Sequence, residues 1–241
     1  MSASAEMLGG AELIEELGQR DAAAPQSAIL GETDAWNPEN FAREQIRSLV
    51  RRVFFSSAVG SVRQVVFSAA GPNGDVANIC DRVGQALALE TAADIAIVGR
   101  RPGEEKMVRG PRIVGNAAIK SCSIKSWSIQ TATNVWHVPE FEVRDCGEGS
   151  RCGRYWLSCL AELRNEFEYT VIQGPAAGIS SEAALLGALA DGIILVLGAN
   201  STRKAAARKI KNTLEGSRSR ILGTVLRERS FPIPEQIYRR L

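Results

Sequence analysis

Apolar residues along this chain follow two rhythms. Short, nearly continuous runs of strand length stand at Val62–Ala70, Asp94–Gly99, Asn134–Pro139, Tyr169–Ile172, Gly192–Leu197 and Ile221–Leu226. Runs without polar alternation mark strands covered on both faces. Between them, apolar positions recur every three or four residues: Phe41, Ile46, Leu49, Val50, Val53 and Phe54, then the stretches Ala77–Leu89, Cys152–Phe167, Ser180–Ala190 and Thr202–Leu214. That spacing predicts amphipathic helices. Asn37 is placed to cap the first helix, with Pro38 at its first helical position. Strands alternating with helices of this length predict an α/β fold, a mostly parallel sheet with helices on both faces and right-handed crossovers. The stretch Arg100–Thr133 mixes Gly, Pro, Ser and charges without a clean period, and Phe231–Leu241 reads as a proline-bounded turn into a short helix.

With 241 residues, 45% of them hydrophobic, the chain is long enough for one large core but not for two full domains. Residues 1–36, rich in Ala, Glu and Gly, read as a flexible acidic arm with one short helix at Ala11–Leu17, and residues 37–241 as the α/β domain. The net charge of +2 hides an asymmetry: Met1–Gln45 holds nine acidic and two basic residues, Ser201–Leu241 eleven basic and three acidic. An acidic head and a basic tail point to contact with protein partners or a neighbouring copy. Nucleic acid is not expected, because no aromatic residues interleave with the basic ones. Membrane insertion is not expected either, since the longest apolar stretch, Ala183–Ala199, is broken by Asp191-Gly192. The start of the chain lacks the basic residue and apolar run of a secretion signal, and the five cysteines, Cys80, Cys122, Cys146, Cys152 and Cys159, form no CxxC pair and no zinc-ligand rhythm. Reduced thiols and a cytoplasmic location are the expectation. Cys146 and Cys152 flank a turn that would let them pair under oxidation. The single histidine, His137, has no Ser, Cys or Asp beside it in a catalytic pattern and reads as a packing or hydrogen-bonding residue.

The stretch Val62–Leu89 carries the most chemistry. A strand runs into Gly71-Pro72-Asn73-Gly74-Asp75-Val76 and then into a helix, the layout of a phosphate-binding loop. Such a loop ends Gly-Lys-Ser/Thr, because the ammonium neutralises the outer phosphates and the hydroxyl holds magnesium. Asp75 and Val76 stand in those two places. A carboxylate beside a triphosphate repels it, and a valine ligates no metal. Gly71, Asn73 and Gly74 keep backbone amides that suit an anion at a helix N-terminus. The plainer reading is a tight turn in which Asp75 caps the helix and satisfies those amides itself.

From about Phe41 to Leu241 these landmarks resemble, in order, the cytoplasmic bacterial tyrosine kinases of capsule and exopolysaccharide synthesis, a branch of the deviant P-loop ATPases. The resemblance implies a P-loop NTPase-like fold. It also implies a Glu-x-x-Arg-x-x-Arg helix between subunits, matched here by Glu44, Arg47 and, one place late, Arg51. Those three residues are candidates for a subunit contact, or else only for ion pairs along their own helix. The family's second motif, two aspartates after the second strand, stands here as Val98-Gly99-Arg100-Arg101, and its Asp-Thr-Pro-Pro as Gln173-Gly174-Pro175-Ala176. Gly99 and Gln173 thus remove the carboxylates that would orient magnesium or activate the acceptor hydroxyl. In place of the family's tyrosine-rich tail there is one residue, Tyr238.

Together these departures predict a degenerate member of the family, with no catalytic residues and no cofactor: a regulator or assembly subunit of exopolysaccharide or capsule biosynthesis and export. Its expected partners are a membrane polysaccharide co-polymerase or an active tyrosine kinase, with homo-oligomers in view and a location at the inner face of the membrane through the partner. The alternative is an ATP- and magnesium-binding kinase or ATPase in which Arg100 or Arg101 replaces the loop lysine. Arg100, Arg101, Lys106, Arg109 and Arg112 form a basic stretch, which reads as a solvated loop or an anion site. Trp36 anchors the arm either to a partner or to the core.

Overall fold

The structure, a computed structural model, describes residues 38–56, 61–72, 76–101, 123–139, 151–199 and 201–227. The predicted arm with Trp36, the cap Asn37 and the closing helix with Tyr238 lie outside the described residues. The elements are α1 (Pro38–Phe54), β1 (Gln64–Ala69), α2 (Ala77–Glu90), β2 (Ile95–Val98), β3 (Ile129–Ala132), β4 (Val135–Val138), α3 (Arg151–Glu166), β5 (Tyr169–Gln173), α4 (Glu182–Leu189), β6 (Gly192–Gly198), α5 (Lys204–Gly216) and β7 (Ile221–Arg227). They form a seven-stranded sheet in the order β3-β4-β2-β5-β1-β6-β7. Only β3 runs antiparallel, against β4; the other pairings are parallel. The expected mostly parallel α/β architecture is the one observed.

The unalternating apolar runs are explained by a core on each side of the sheet. Because strand side chains alternate between faces, Val65, Phe67, Ile95, Ile97, Val171, Ile194 and Val196 pack on the side covered by α1 and α2. Val66, Ala96, Val98, Ile172, Ile193 and Leu195 pack on the side covered by α3, α4 and α5. Fully buried side chains such as Phe67, Ile97 and Ile194 each contribute about 1.5–3 kcal/mol relative to an exposed position. On α1, Val50, Val53 and Phe54 face this core, and Phe54 sets its ring edge against Tyr169 of β5, 5.7 Å between centroids.

At the start of the sheet a polar staple replaces apolar packing. Asp191, just before β6, accepts the backbone N–H groups of Arg63 and Gln64 on one carboxylate oxygen, both at 2.8 Å, and Arg164 Nη2 on the other at 2.8 Å. The buried Gln64 side chain donates to Leu160 O at 2.8 Å and accepts from Arg164 at 3.2 Å. Three elements, β1, β6 and α3, are thereby tied at one corner.

The stretch without a readable period contains a 3-10 turn, Ile124–Trp127, and the edge strand β3. The turn is held by Glu166, at the end of α3, which accepts from the N–H groups of Ile124 (2.7 Å) and Lys125 (3.0 Å) and from Ser123 Oγ (2.7 Å). Lys125 pairs with Asp94 at 2.5 Å and lies over the Trp136 and Phe167 rings, 5.6 and 5.3 Å from their centroids. All four residues of β3 are exposed, so no alternation of apolar and polar positions marks it.

Candidate functional site

The fold places one crevice by topology alone. From β1 the chain passes to α2 on one face of the sheet, and from the neighbouring β5 it passes to α4 on the other. The gap between two loops that diverge in this way, at the carboxyl ends of the strands, is where ligands of open parallel sheets bind. It is bordered by the turns after β1, β2 and β5.

The two central turns are drawn together. Gly174 N–H donates to Phe67 O at 2.8 Å, Ala177 N–H to Ala69 O at 2.9 Å, and Ser68 Oγ to Pro175 O at 2.5 Å. A side chain at Gly178 would run into the carbonyl oxygen of Ala70, so glycine is required for this approach. Of the phosphate-loop candidates, Gly71 is half-buried with open space around it, while Asn73, Gly74 and Asp75 lie outside the described residues. Val76 precedes α2 in helical backbone geometry, φ −87° and ψ −24°. Its side chain belongs to the core beside Ile79 and Cys80, so position 76 presents backbone rather than a side chain to the crevice.

The turn after β2 has lost its side chain to a neighbour. Gly99 adopts φ +137°, a conformation that L side chains rarely take. A Cβ there would lie 2.5 Å from Cδ and 2.7 Å from Cβ of Gln173. The Gln173 amide in turn pairs with the backbone of the next residue: Nε2 donates to Arg100 O at 2.6 Å and Arg100 N–H donates to Oε1 at 3.1 Å. Such a two-way pair needs a donor and an acceptor on one planar group, which an amide has and a carboxylate lacks. The two positions at which the resemblance expects carboxylates are therefore one interlocked unit, with Gln173 filling the space of the absent residue-99 side chain. Sequence reading identified both losses but not their contact.

The residues present differ from those that a magnesium–nucleotide site uses. The loop has aspartate for lysine at 75 and valine for the hydroxyl at 76, glycine stands at 99, and the amide at 173 is engaged by backbone. Among the described residues no group of three His, Cys, Asp or Glu side chains is spaced to hold a metal. What borders the crevice is cationic: Arg100 is exposed and Arg101 half-buried. Lys106, Arg109 and Arg112 lie outside the described residues.

The α1 candidates separate. Glu44 and Arg47 approach to 3.8 Å on the exposed surface, whereas Arg51 reaches Glu90 of α2 at 2.8 Å, a hydrogen bond that raises its guanidinium pKa above the ordinary value. Glu44 and Arg47 remain on the solvent side; Arg51 joins α1 to α2. His137, buried in β4, meets Asp81 of α2 through Nε2 at 3.2 Å, a structural link between sheet and helix.

Cys80 and Cys159 are buried free thiols; Cys122, Cys146 and the Cys152 side chain lie outside the described residues. Burial pushes the Cys159 thiol from 9.0 up to about 12 and raises the neighbouring Tyr155 phenol above its ordinary value of 10.0. Both folded-state values lie above the unfolded ones, so their contribution to stability is complete below about pH 9 and is lost as pH rises from there toward 12. The urea midpoint is accordingly expected to hold from pH 7 to 8.5 and to fall between pH 9 and 11, with a shallower fall in Cys159→Ala. A midpoint unchanged at pH 11 would contradict this assignment.

No family model matches the chain. The tyrosine-protein kinase YwqD of Bacillus subtilis is 22% identical over 206 residues, covering 78% of this chain and 82% of that protein. Over most of its length the chain is thus similar to a bacterial tyrosine kinase. A shorter match to the tyrosine-protein kinase CpsD of Streptococcus agalactiae is 31% identical over 72 residues, 30% of this chain and 31% of that one. The kinase domain of Escherichia coli tyrosine kinase ETK superposes with a TM-score of 0.60 at 13% identity, over 80% of this chain and 79% of that domain. At that identity the superposition establishes a shared P-loop NTPase-like fold. Within this kinase-like frame, two of the residues that depart from the motifs, Gly99 and Gln173, meet beside the crevice.

Proposed function

We propose that this kinase relative is non-catalytic and acts as a regulator or assembly subunit in bacterial exopolysaccharide or capsule biosynthesis. The observation that carries the reading is the Gly99–Gln173 interlock. Phosphoryl transfer is almost entirely positioning and electrostatic stabilisation by metal, cations and an acceptor-activating carboxylate. A crevice whose two motif positions are taken up in holding each other and the Arg100 backbone keeps the frame without those groups.

Binding then takes the place of chemistry. The exposed side of α1, with Glu44 and Arg47, and the charged ends of the chain are the surfaces proposed to meet a membrane polysaccharide co-polymerase, an active tyrosine kinase or a second copy. Arg51 supports α1 from behind through Glu90. Surface charge of this kind sets partner choice and association rate more than affinity. No helix among the described residues is long and apolar enough to cross a membrane, so attachment to the membrane is proposed to run through the partner.

Calorimetric titration of ATP with magnesium tests the reading, with Asp75→Lys/Val76→Thr run beside the natural protein. No heat of binding and no thermal shift at millimolar nucleotide are expected from the natural chain, whereas a ligand present at 100 times its Kd would stabilise the fold by about 2.7 kcal/mol. Binding with phosphate release would overturn the proposal in favour of an enzyme using Arg100 or Arg101. The double change is expected to remain inactive, because residue 76 is turned into the core and residues 99 and 173 are unaltered.

A further inference from the structure

α1 and α2 enclose a groove of about 280 Å³ on the side of the sheet that they cover. Arg43, Ile46 and Arg47 line it from α1, and Arg82, Ala86 and Leu89 from α2. Within each set the spacing of three to four positions places the side chains on one helix face, so the residues named are those that face one another. Three of the four charged residues lining the groove are arginines; the fourth is Glu39 at the start of α1.

The Arg51–Glu90 ion pair fixes how the two helices are aligned. Arg43 and Arg82 each stand eight positions before that pair, about 12 Å back along their helices. They therefore share one end of the groove, while Leu89 stands beside the pair at the other. Among the described residues neither Arg43 nor Arg82 has an ion-pair partner, and Arg47 meets Glu44 only at 3.8 Å on the surface, a contact worth little in water. Two guanidinium groups facing one space repel each other, and a carboxylate between them replaces that repulsion with charge-assisted hydrogen bonds. At the opposite end Leu89, 73% exposed, is the most exposed large apolar side chain among the described residues.

We infer that the α1–α2 groove is a docking site for a short acidic segment of a partner protein, with carboxylates between Arg43 and Arg82 and an apolar side chain against Ile46, Ala86 and Leu89. The charges that select the partner's sign line the groove themselves, and arginine is a usual anchor of protein contacts. The two ends together select a polypeptide. From Arg82 to Leu89 is about 10 Å along α2, the span of about three extended residues, so one segment reaches both ends. An inorganic anion, or a phosphate of a nucleic acid or lipid headgroup, meets the arginine end alone and leaves Leu89 in water. The inference names the partner's chemistry for the binding role proposed above and rests on that reading for its setting.

The test uses the full chain and a fluorescein-labelled, end-capped peptide of about ten residues, with a Glu-Asp pair and, three residues on, a Leu pair in a Gly/Ser background. Anisotropy is expected to give a Kd of about 10–100 μM at low salt, weakened about tenfold or more by Arg43→Glu/Arg82→Glu and about threefold by Leu89→Ser. Arg203→Glu/Lys204→Glu, on α5, is expected to leave it unchanged. The three groove positions are exposed, where substitutions are usually tolerated, and circular dichroism with the thermal midpoint establishes that each variant is folded. If the charge reversal does not fold, Arg43→Gln/Arg82→Gln takes its place, with about a fivefold loss expected. The inference is overturned by no binding at 1 mM peptide, by equal binding of a peptide with Lys for Glu and Asp, or by an α5 pair as damaging as the groove pair. Displacement of the peptide by pyrophosphate, together with full affinity in Leu89→Ser, overturns it in favour of a plain anion site. It is overturned too if the groove variants alter only self-association, or only binding to vesicles of anionic lipid, for then another copy or a bilayer is the occupant. Failure of peptide binding beside a silent nucleotide titration leaves the non-catalytic reading standing without this contact, whereas nucleotide turnover beside intact peptide binding removes that reading and keeps the groove.

Discussion

Gly99→Asp, the change that restores a carboxylate where the kinase motif expects one, is expected to destabilise the protein by about 2–6 kcal/mol and to confer no magnesium binding. Two costs combine. A non-glycine residue at φ +137° carries backbone strain of about 1–3 kcal/mol. A Cβ 2.5 Å from Gln173 Cδ forces a repacking that costs a further 1–3 kcal/mol or so. The two contributions are separable. In a Gln173→Ala background the clash with Cδ and Cγ is removed and only the Cβ contact at 2.7 Å remains, so the double change should be less damaging than the sum of the single ones, with a coupling energy of about 1–2 kcal/mol. Urea unfolding of the four proteins measures it. A Gly99→Asp protein as stable as the natural one, or strict additivity with Gln173→Ala, would dissolve the interlock and remove the main support for a non-catalytic reading.

Asp191→Ala should cost about 2–4 kcal/mol, through a different mechanism. Its carboxylate accepts two backbone N–H groups and one guanidinium N–H, all at 2.8 Å, and hydrogen bonds to a charged group are worth roughly 1.5–3 kcal/mol each when a partner is left unsatisfied. Exposure of the Arg164 side chain at 41% lets water recover part of the guanidinium contribution, which keeps the estimate below the sum. Asp191→Asn retains one acceptor oxygen and is expected to lose about half as much. Amide hydrogen exchange sharpens the test: the Arg63 and Gln64 amides should become at least tenfold faster in Asp191→Ala while those of Phe67 and Ile194 follow only the global change. Unchanged exchange at Arg63 and Gln64 would mean that the staple holds nothing.

Most of the fold was legible along the chain. The strands around Val65, Ile97, Val171 and Ile194 are buried from both sides, and a segment buried from both sides writes itself as an uninterrupted apolar run. The helices show a period because each is buried from one side. What escaped notice lacks those conditions. β3 is exposed throughout at the edge of the sheet, and the turn Ile124–Trp127 depends on Glu166, more than 40 positions away. At the site, the replacement of carboxylates by Gly99 and Gln173 could be read from motif positions, whereas the amide pair with Arg100 spans 73 positions and exists only because β2 and β5 are neighbours. Arg51 was grouped with Glu44 and Arg47 by helical spacing, and its strongest partner proved to be Glu90, 39 positions on.

By itself, then, the sequence determined most of the segments that become strands and helices, that the sheet is covered on two faces, and that Asp75, Val76, Gly99 and Gln173 stand where the resembled motifs have a lysine, a hydroxyl and carboxylates. Those properties are local: they follow from the identity of a residue and from periods of two and 3.6 positions. Only the tertiary structure decided that Val76 faces the core and that Gly99 and Gln173 share one volume. Each of these depends on which elements the crossovers make adjacent, and the energy of a contact between distant residues leaves no period in the chain that carries it.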